Sequence, residues 1–79
     1  MDNVEKYELV LSECFQISRS QLKGLKYQDI AAWDSVGHMA LISAIEEDFD
    51  IMMETDDIID FSSYEKGLFI LEKKYNVQF

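Results

Sequence analysis

Ser35 is the residue on which chemistry can be built. It stands in AWDSVGHMALI (32–42), directly after Asp34 and three residues before His38, the chain's one histidine, with the one tryptophan, Trp33, beside them. Three roles suit a serine there. It can belong to a helix start, where short polar side chains satisfy free backbone N–H groups. It can be a nucleophile, because residues three apart on a helix are neighbours and His38 would serve as its base. It can be a point of attachment, because the first helical turn offers free N–H groups and the positive end of the helix dipole, which favour an anion such as a phosphate.

The nucleophile reading needs a shielded pocket and an oxyanion hole. A chain of 79 residues buries only about 60% of the surface it exposes when unfolded, which leaves little room for either. Taken alone, His38 reads as a partly buried helix residue and Trp33 as a core plug at the end of a loop. Metal chemistry is weaker still. DFDIMMETDDII places Asp48, Asp50, Glu54 and Asp56 at alternate positions, like the start of a calcium loop. Met52 and Met53 then hold the fifth and sixth positions, and Ile59 stands where a bidentate glutamate belongs. One histidine and one cysteine do not build a zinc site.

The net charge of −9, from sixteen acidic and seven basic residues, argues against nucleic acid, whose phosphates need Lys and Arg. It favours basic partners, which such a field steers in. Residues 46–60 hold eight carboxylates and no basic residue. That run is either a solvated face or a docking surface. No apolar run approaches the roughly 20 residues that span a bilayer, and MDNVEKYELV lacks a basic-then-apolar signal pattern. The single cysteine, Cys14, reads as a reduced thiol on an apolar helical position. Together these lead us to expect a cytoplasmic monomer with one domain over 1–79.

The elements that must position Ser35 are helical. There is no proline and there are three glycines. Val4, Tyr7, Leu11, Cys14 and Phe15 recur at helical steps, widened by Val10, and predict a helix over 3–15 capped by Asp2 or Asn3. Residues 16–33 lose the period and predict a long loop, perforce pinned by apolar residues such as Tyr27. A second helix should start at Asp34 or Ser35 and end near Asp48, with Met39, Ile42, Ile45 and Phe49 on one stripe. METDDIID predicts a short helix capped by Thr55. SSYEKGLFILEKKY predicts a last helix with a Ser62–Glu65 capping box and a stripe of Tyr64, Leu68, Leu71 and Tyr75. The expected fold is all-α: a small four-helix bundle of three main helices and one short one, with a long loop after the first helix.

This order of elements, the Asp34-Ser35-Val36 triplet and the stretch WDSVGHMALISAIEEDFDI resemble the acyl carrier proteins, above all stand-alone members. The likeness covers nearly the whole chain. The family's D-S-L reads D-S-V here, a smaller apolar residue, and Ser43 stands where members often expose an apolar one, so partner choice can differ. The resemblance implies that Ser35 bears 4′-phosphopantetheine, installed from coenzyme A by a phosphopantetheinyl transferase. Asp34, Val36 and His38 would flank it, and the chain itself would not be an enzyme. It further implies that acyl- or aminoacyl-loading ligases and acyltransferases or synthases with basic patches dock on Glu46, Glu47, Asp50 and Asp56. A family-type acyl cleft would be lined by Met39, Ile42, Ile45, Ile58, Ile59 and Leu68; a packed core without a cleft fits the same residues. The alternative from another class is an unmodified acidic helical adaptor for a basic protein, which accounts for the charge but not for a serine behind a helix cap.

Overall fold

The computed structural model describes residues 2–79 and is all-helical: α1 (Asn3–Phe15), α2 (Ser35–Phe49), α3 (Thr55–Asp60) and α4 (Tyr64–Tyr75), with a single 3-10 turn at Arg19–Gln21 in the loop after α1. The first two main helices are each capped by a local aspartate. Asp2 accepts from the Glu5 N–H at 2.8 Å and so starts α1, and Asp34 accepts from the Gly37 N–H at 2.8 Å and so starts α2. The main helices stop at residues in the left-handed region, Gln16, Asp50 and Asn76, with φ of 55°, 55° and 59°. Next to each, a second N–H folds back onto the last turn, as Ile17 does onto the Ser12 carbonyl. That is the usual way a helix satisfies its orphan carbonyls.

Two caps differ from expectation. Glu54, not Thr55, is the N-cap of α3; its side chain caps nothing, and its backbone N–H donates to the Tyr75 hydroxyl at 2.8 Å. Ser63, not Ser62, is the N-cap of α4 and accepts from the Lys66 N–H at 3.0 Å. The reason is tertiary. The Ser62 carbonyl is taken by the Tyr27 N–H at 2.9 Å, and Glu65 turns away to accept from the Gly24 N–H at 3.0 Å. The long loop is thereby stitched to the start of α4, where Lys26 and Ser63 form an isolated antiparallel bridge.

The core lies where α1 packs on α2 and the loop and α4 close over them. Tyr7, Leu11, Leu22, Trp33, Leu41, Phe61 and Leu71 are fully buried there. The α2 stripe is Leu41, Ile42 and Ile45, with Met39 turned to the surface. In α4 it is Tyr64, Gly67, Ile70 and Leu71, with Leu68 and Tyr75 half-buried. Gly67 lets α4 approach closely: a Cβ there would stand 2.3 Å from both the Phe61 ring and the Tyr7 hydroxyl. Two buried carboxylates tie elements together. Glu8 of α1 accepts from Tyr64 Oη at 2.6 Å and pairs with Arg19 at 2.8 Å. Asp57 of α3 pairs with Lys74 at 2.7 Å and accepts from Tyr75 Oη. Among the described residues no helix is long and apolar enough to cross a membrane.

Candidate functional site

Ser35 is the first residue of α2 and is exposed. Asp34 fixes the turn before it, and Gly37 lets the loop pass close by: a Cβ at Gly37 would stand 1.9 Å from the Ala32 carbonyl oxygen. The Ser35 hydroxyl lies 3.2 Å from the Tyr27 hydroxyl. Tyr27 is itself fixed, edge-on to Trp33 and to His38 at centroid distances of 6.4 and 5.6 Å.

A groove of about 330 Å³ begins at this hydroxyl. Met39 and His38 of α2 form one side, Ile58 and Ile59 of α3 the other, and Tyr27, Phe61 and Ser62 complete it. Its outer walls are apolar side chains left in solvent, Met39 at 51% and Ile59 at 70% exposure.

His38 faces inward. Its Nδ1 accepts from the Trp33 indole N–H at 3.0 Å, so the ring proton sits on Nε2, which donates to the Ile58 carbonyl at 2.8 Å. Both ring nitrogens are committed, and neither is aimed at Ser35. The arrangement supplies no base for a Ser35 nucleophile, and the Ser–His reading has no geometric support.

The remaining candidates separate into groups. Val36 is exposed beside Ser35 on α2. Glu47, Asp50 and Asp56 are exposed, and among the described residues none of their carboxylates has a hydrogen-bond partner. Glu46 is different: it is half-buried, and its carboxylate accepts from the Met53 N–H at 2.8 Å, holding the chain that leaves α2. Of the proposed cleft, Met39, Ile58 and Ile59 line the groove. Ile42 and Ile45 do not; at 1% and 0% exposure they are core. Leu68 is half-buried against the core and also off the groove. All three belong to or pack against the one core cluster that also holds Trp33 and Phe61, and His38 stands between those two rings, at 6.3 Å from Trp33 and 6.1 Å from Phe61.

Compared with protein-family models, with curated proteins and with solved structures, the chain matches none. The site therefore stands on its own geometry. Two of its parts are absent from the sequence candidates: the Tyr27 hydroxyl, which reads in sequence as an apolar loop anchor, and Gly37. For Gly37 a signal exists, since glycine in a first helical turn gives up helix propensity and so points to a close approach. Nothing local signals the reach of Tyr27 to Ser35 across eight residues of loop.

Proposed function

We propose that this chain is a carrier protein: Ser35 holds a 4′-phosphopantetheine arm through a phosphodiester, for acyl or aminoacyl groups that partner enzymes load and remove. One observation carries the reading, namely an exposed hydroxyl on the first turn of α2, behind a capping Asp34, from which an apolar groove leads away. The residues fit such an arm. Ser35 is open to a second protein, the helix start tolerates a phosphodiester's charge, and the Tyr27 hydroxyl stands ready as a donor beside it. The likeness of WDSVGHMALISAIEEDFDI to stand-alone acyl carriers supports the same assignment.

The attachment needs a second enzyme. Ser35 Oγ attacks the β-phosphorus of coenzyme A, its proton passes to a base, the pyrophosphate P–O bond breaks, and adenosine 3′,5′-bisphosphate leaves. A serine is a weak nucleophile without a base, and His38 is committed to Trp33 and Ile58. The base belongs to a phosphopantetheinyl transferase. When bound, the arm supplies a thiol that holds cargo as a thioester. This chain's own residues do the presenting: α2 fixes the attachment point, Tyr27 orients it, and the exposed Glu47, Asp50 and Asp56 draw in basic partner surfaces. The lone, half-buried Cys14 fits a reducing, cytoplasmic setting.

Intact mass after incubation with coenzyme A and a broad-specificity phosphopantetheinyl transferase tests the reading. One added arm is expected on the wild-type chain and none on Ser35→Ala. An unmodified wild-type chain would identify an acidic adaptor instead, and an arm on the alanine variant would move the site elsewhere.

A further inference from the structure

We infer that His38 keeps acyl cargo out of the core: it latches α2 to α3 and confines acyl groups to the surface groove. The inference rests on the carrier reading above and concerns what the arm holds, not whether the arm exists.

The way inward from Ser35 passes between α2 and α3, and His38 crosses it. Its Nε2 donates to the Ile58 carbonyl at 2.8 Å, and its Nδ1 accepts from the Trp33 indole at 3.0 Å. Behind the latch lies the packed core. Trp33 is fully buried and stacked on Phe15 at 4.9 Å, Phe61 is fully buried and edge-on to His38 at 6.1 Å, and Ile42 and Ile45 are sealed in the core. A hydrocarbon chain moving inward would separate His38 from Ile58 and offer no hydrogen bond in return. It would strand an imidazole N–H and a carbonyl in apolar surroundings, the costly case for buried polar groups. It would also have to displace close-packed aromatic rings.

The surface route carries no such cost. Met39, Ile58 and Ile59 flank the groove that starts at Ser35, and they give a short acyl group apolar contact without disturbing the latch. The groove's volume, about 330 Å³, is the apolar space offered outside the latch, with His38 and Phe61 among its walls. Residues of the α2–α3 seam thus set an upper limit on the cargo that the domain itself can shelter.

The test loads Ser35 with acetyl-, butanoyl- or decanoyl-pantetheine arms from the matching acyl-coenzyme A and a broad-specificity transferase. Intact mass confirms loading. A chain that takes no arm fails as a carrier, and the inference falls with it. On loaded protein two readouts follow, the melting temperature and the emission of Trp33, the chain's one tryptophan. In the wild-type series Trp33 emission should stay constant from acetyl to decanoyl, and contact with the exposed groove walls should give only a small rise in melting temperature. His38→Ala should gain a melting temperature that rises with chain length and a shifted Trp33 emission. His38→Leu, which preserves volume, repeats the test if the alanine variant does not fold. A chain-length-dependent shift of Trp33 emission in the wild-type series would overturn the inference. A flat series in a folded His38 variant would remove His38 as the limiting residue.

Discussion

The Tyr27 hydroxyl stands 3.2 Å from the Ser35 hydroxyl, joining the middle of the long loop to the first turn of α2. The contact is built from behind. The Tyr27 backbone N–H is tied to Ser62, and its ring is wedged edge-on against Trp33 and His38. The phenol therefore has a fixed position before any partner arrives, and it restrains the rotamer of the side chain to be modified.

Tyr27→Phe should keep the fold, since the ring contacts remain, and should slow arm transfer. A single neutral hydrogen bond contributes about 0.5–1.5 kcal/mol, so kcat/KM for the transferase should fall by roughly 2–10-fold with little change in melting temperature. Equal rates for the variant and the wild-type chain would show that the hydroxyl does not orient Ser35.

Gly37→Ala should destabilise the domain although alanine is the better helix former. The gain in propensity is about 1 kcal/mol. Against it stands a Cβ placed 1.9 Å from the Ala32 carbonyl oxygen, which is backbone and cannot rotate away. The loop must shift, and with it the approach to Ser35. Overpacking of this kind costs about 1–3 kcal/mol, and the expected outcome is a lower melting temperature together with slower arm transfer. A melting temperature above the wild-type value would mean that the loop relaxes freely.

Much of this fold is legible in the sequence because local rules and tertiary packing agree. The bounds of α1 and α2 to within a residue and the Asp34 cap follow from periodicity and cap chemistry, with Asp2 one of the two residues expected to cap α1, and Trp33 is buried as its type suggests at the end of a loop. The misplaced caps fall where a distant partner outbids the local one. Thr55 loses its role because Tyr75 and Asp57 organise the start of α3, and Ser62 loses its role because its carbonyl pairs with Tyr27. Of the residues expected to line a cleft, helical spacing places Ile42 and Ile45 on an apolar stripe, and only the packed structure separates them, as core, from Met39, Ile58 and Ile59 on the groove.

Acid should weaken the α3–α4 tie. The Lys74 ammonium and the Tyr75 hydroxyl hold the Asp57 carboxyl below the usual carboxylate range, as the Tyr64 hydroxyl and the Arg19 guanidinium do for Glu8. With folded pKa values lowered, both pairs contribute fully above the unfolded carboxylate values near about 4. Their contribution is lost as pH falls through the folded values. Lys74 is 52% exposed and can return to water, so Asp57→Asn should cost about 1–3 kcal/mol at neutral pH, or roughly 4–8 °C per kcal/mol. The other acids repel one another and relax on protonation, so the informative quantity is a difference. The gap in melting temperature between wild type and Asp57→Asn should shrink below about pH 4. A gap that stays constant from neutrality to pH 3 would remove Asp57 from the acid response.

Among the carboxylates after residue 45, Glu46 is tied to the backbone and Glu47 is exposed, and charge reversal tests whether the exposed ones dock a partner as proposed. Glu46 holds the Met53 N–H, so Glu46→Lys should lower both the melting temperature and the rate of arm transfer. Glu47 is exposed and has no such bond, so Glu47→Lys should leave the melting temperature nearly unchanged and slow association alone. Glu47 lies twelve residues after Ser35 on a continuous helix, about 18 Å along its axis at 1.5 Å per residue. The Debye length is about 10 Å at 0.1 M salt, so an effect of Glu47→Lys on arm transfer would have to run through a docked partner and not through direct influence on the Ser35 hydroxyl. Rim charges of this kind change mainly the association rate, and salt erases their effect. The measurement is the second-order rate of arm transfer at low and moderate salt for Glu47→Lys, with Glu5→Lys on α1 as the control of equal charge change. The Glu47 variant should be the slower at low salt and the two should converge as salt rises. Equal rates at low salt would assign residues 46–60 to solvation, and leave Ser35 to be recognised by its own turn and by Tyr27.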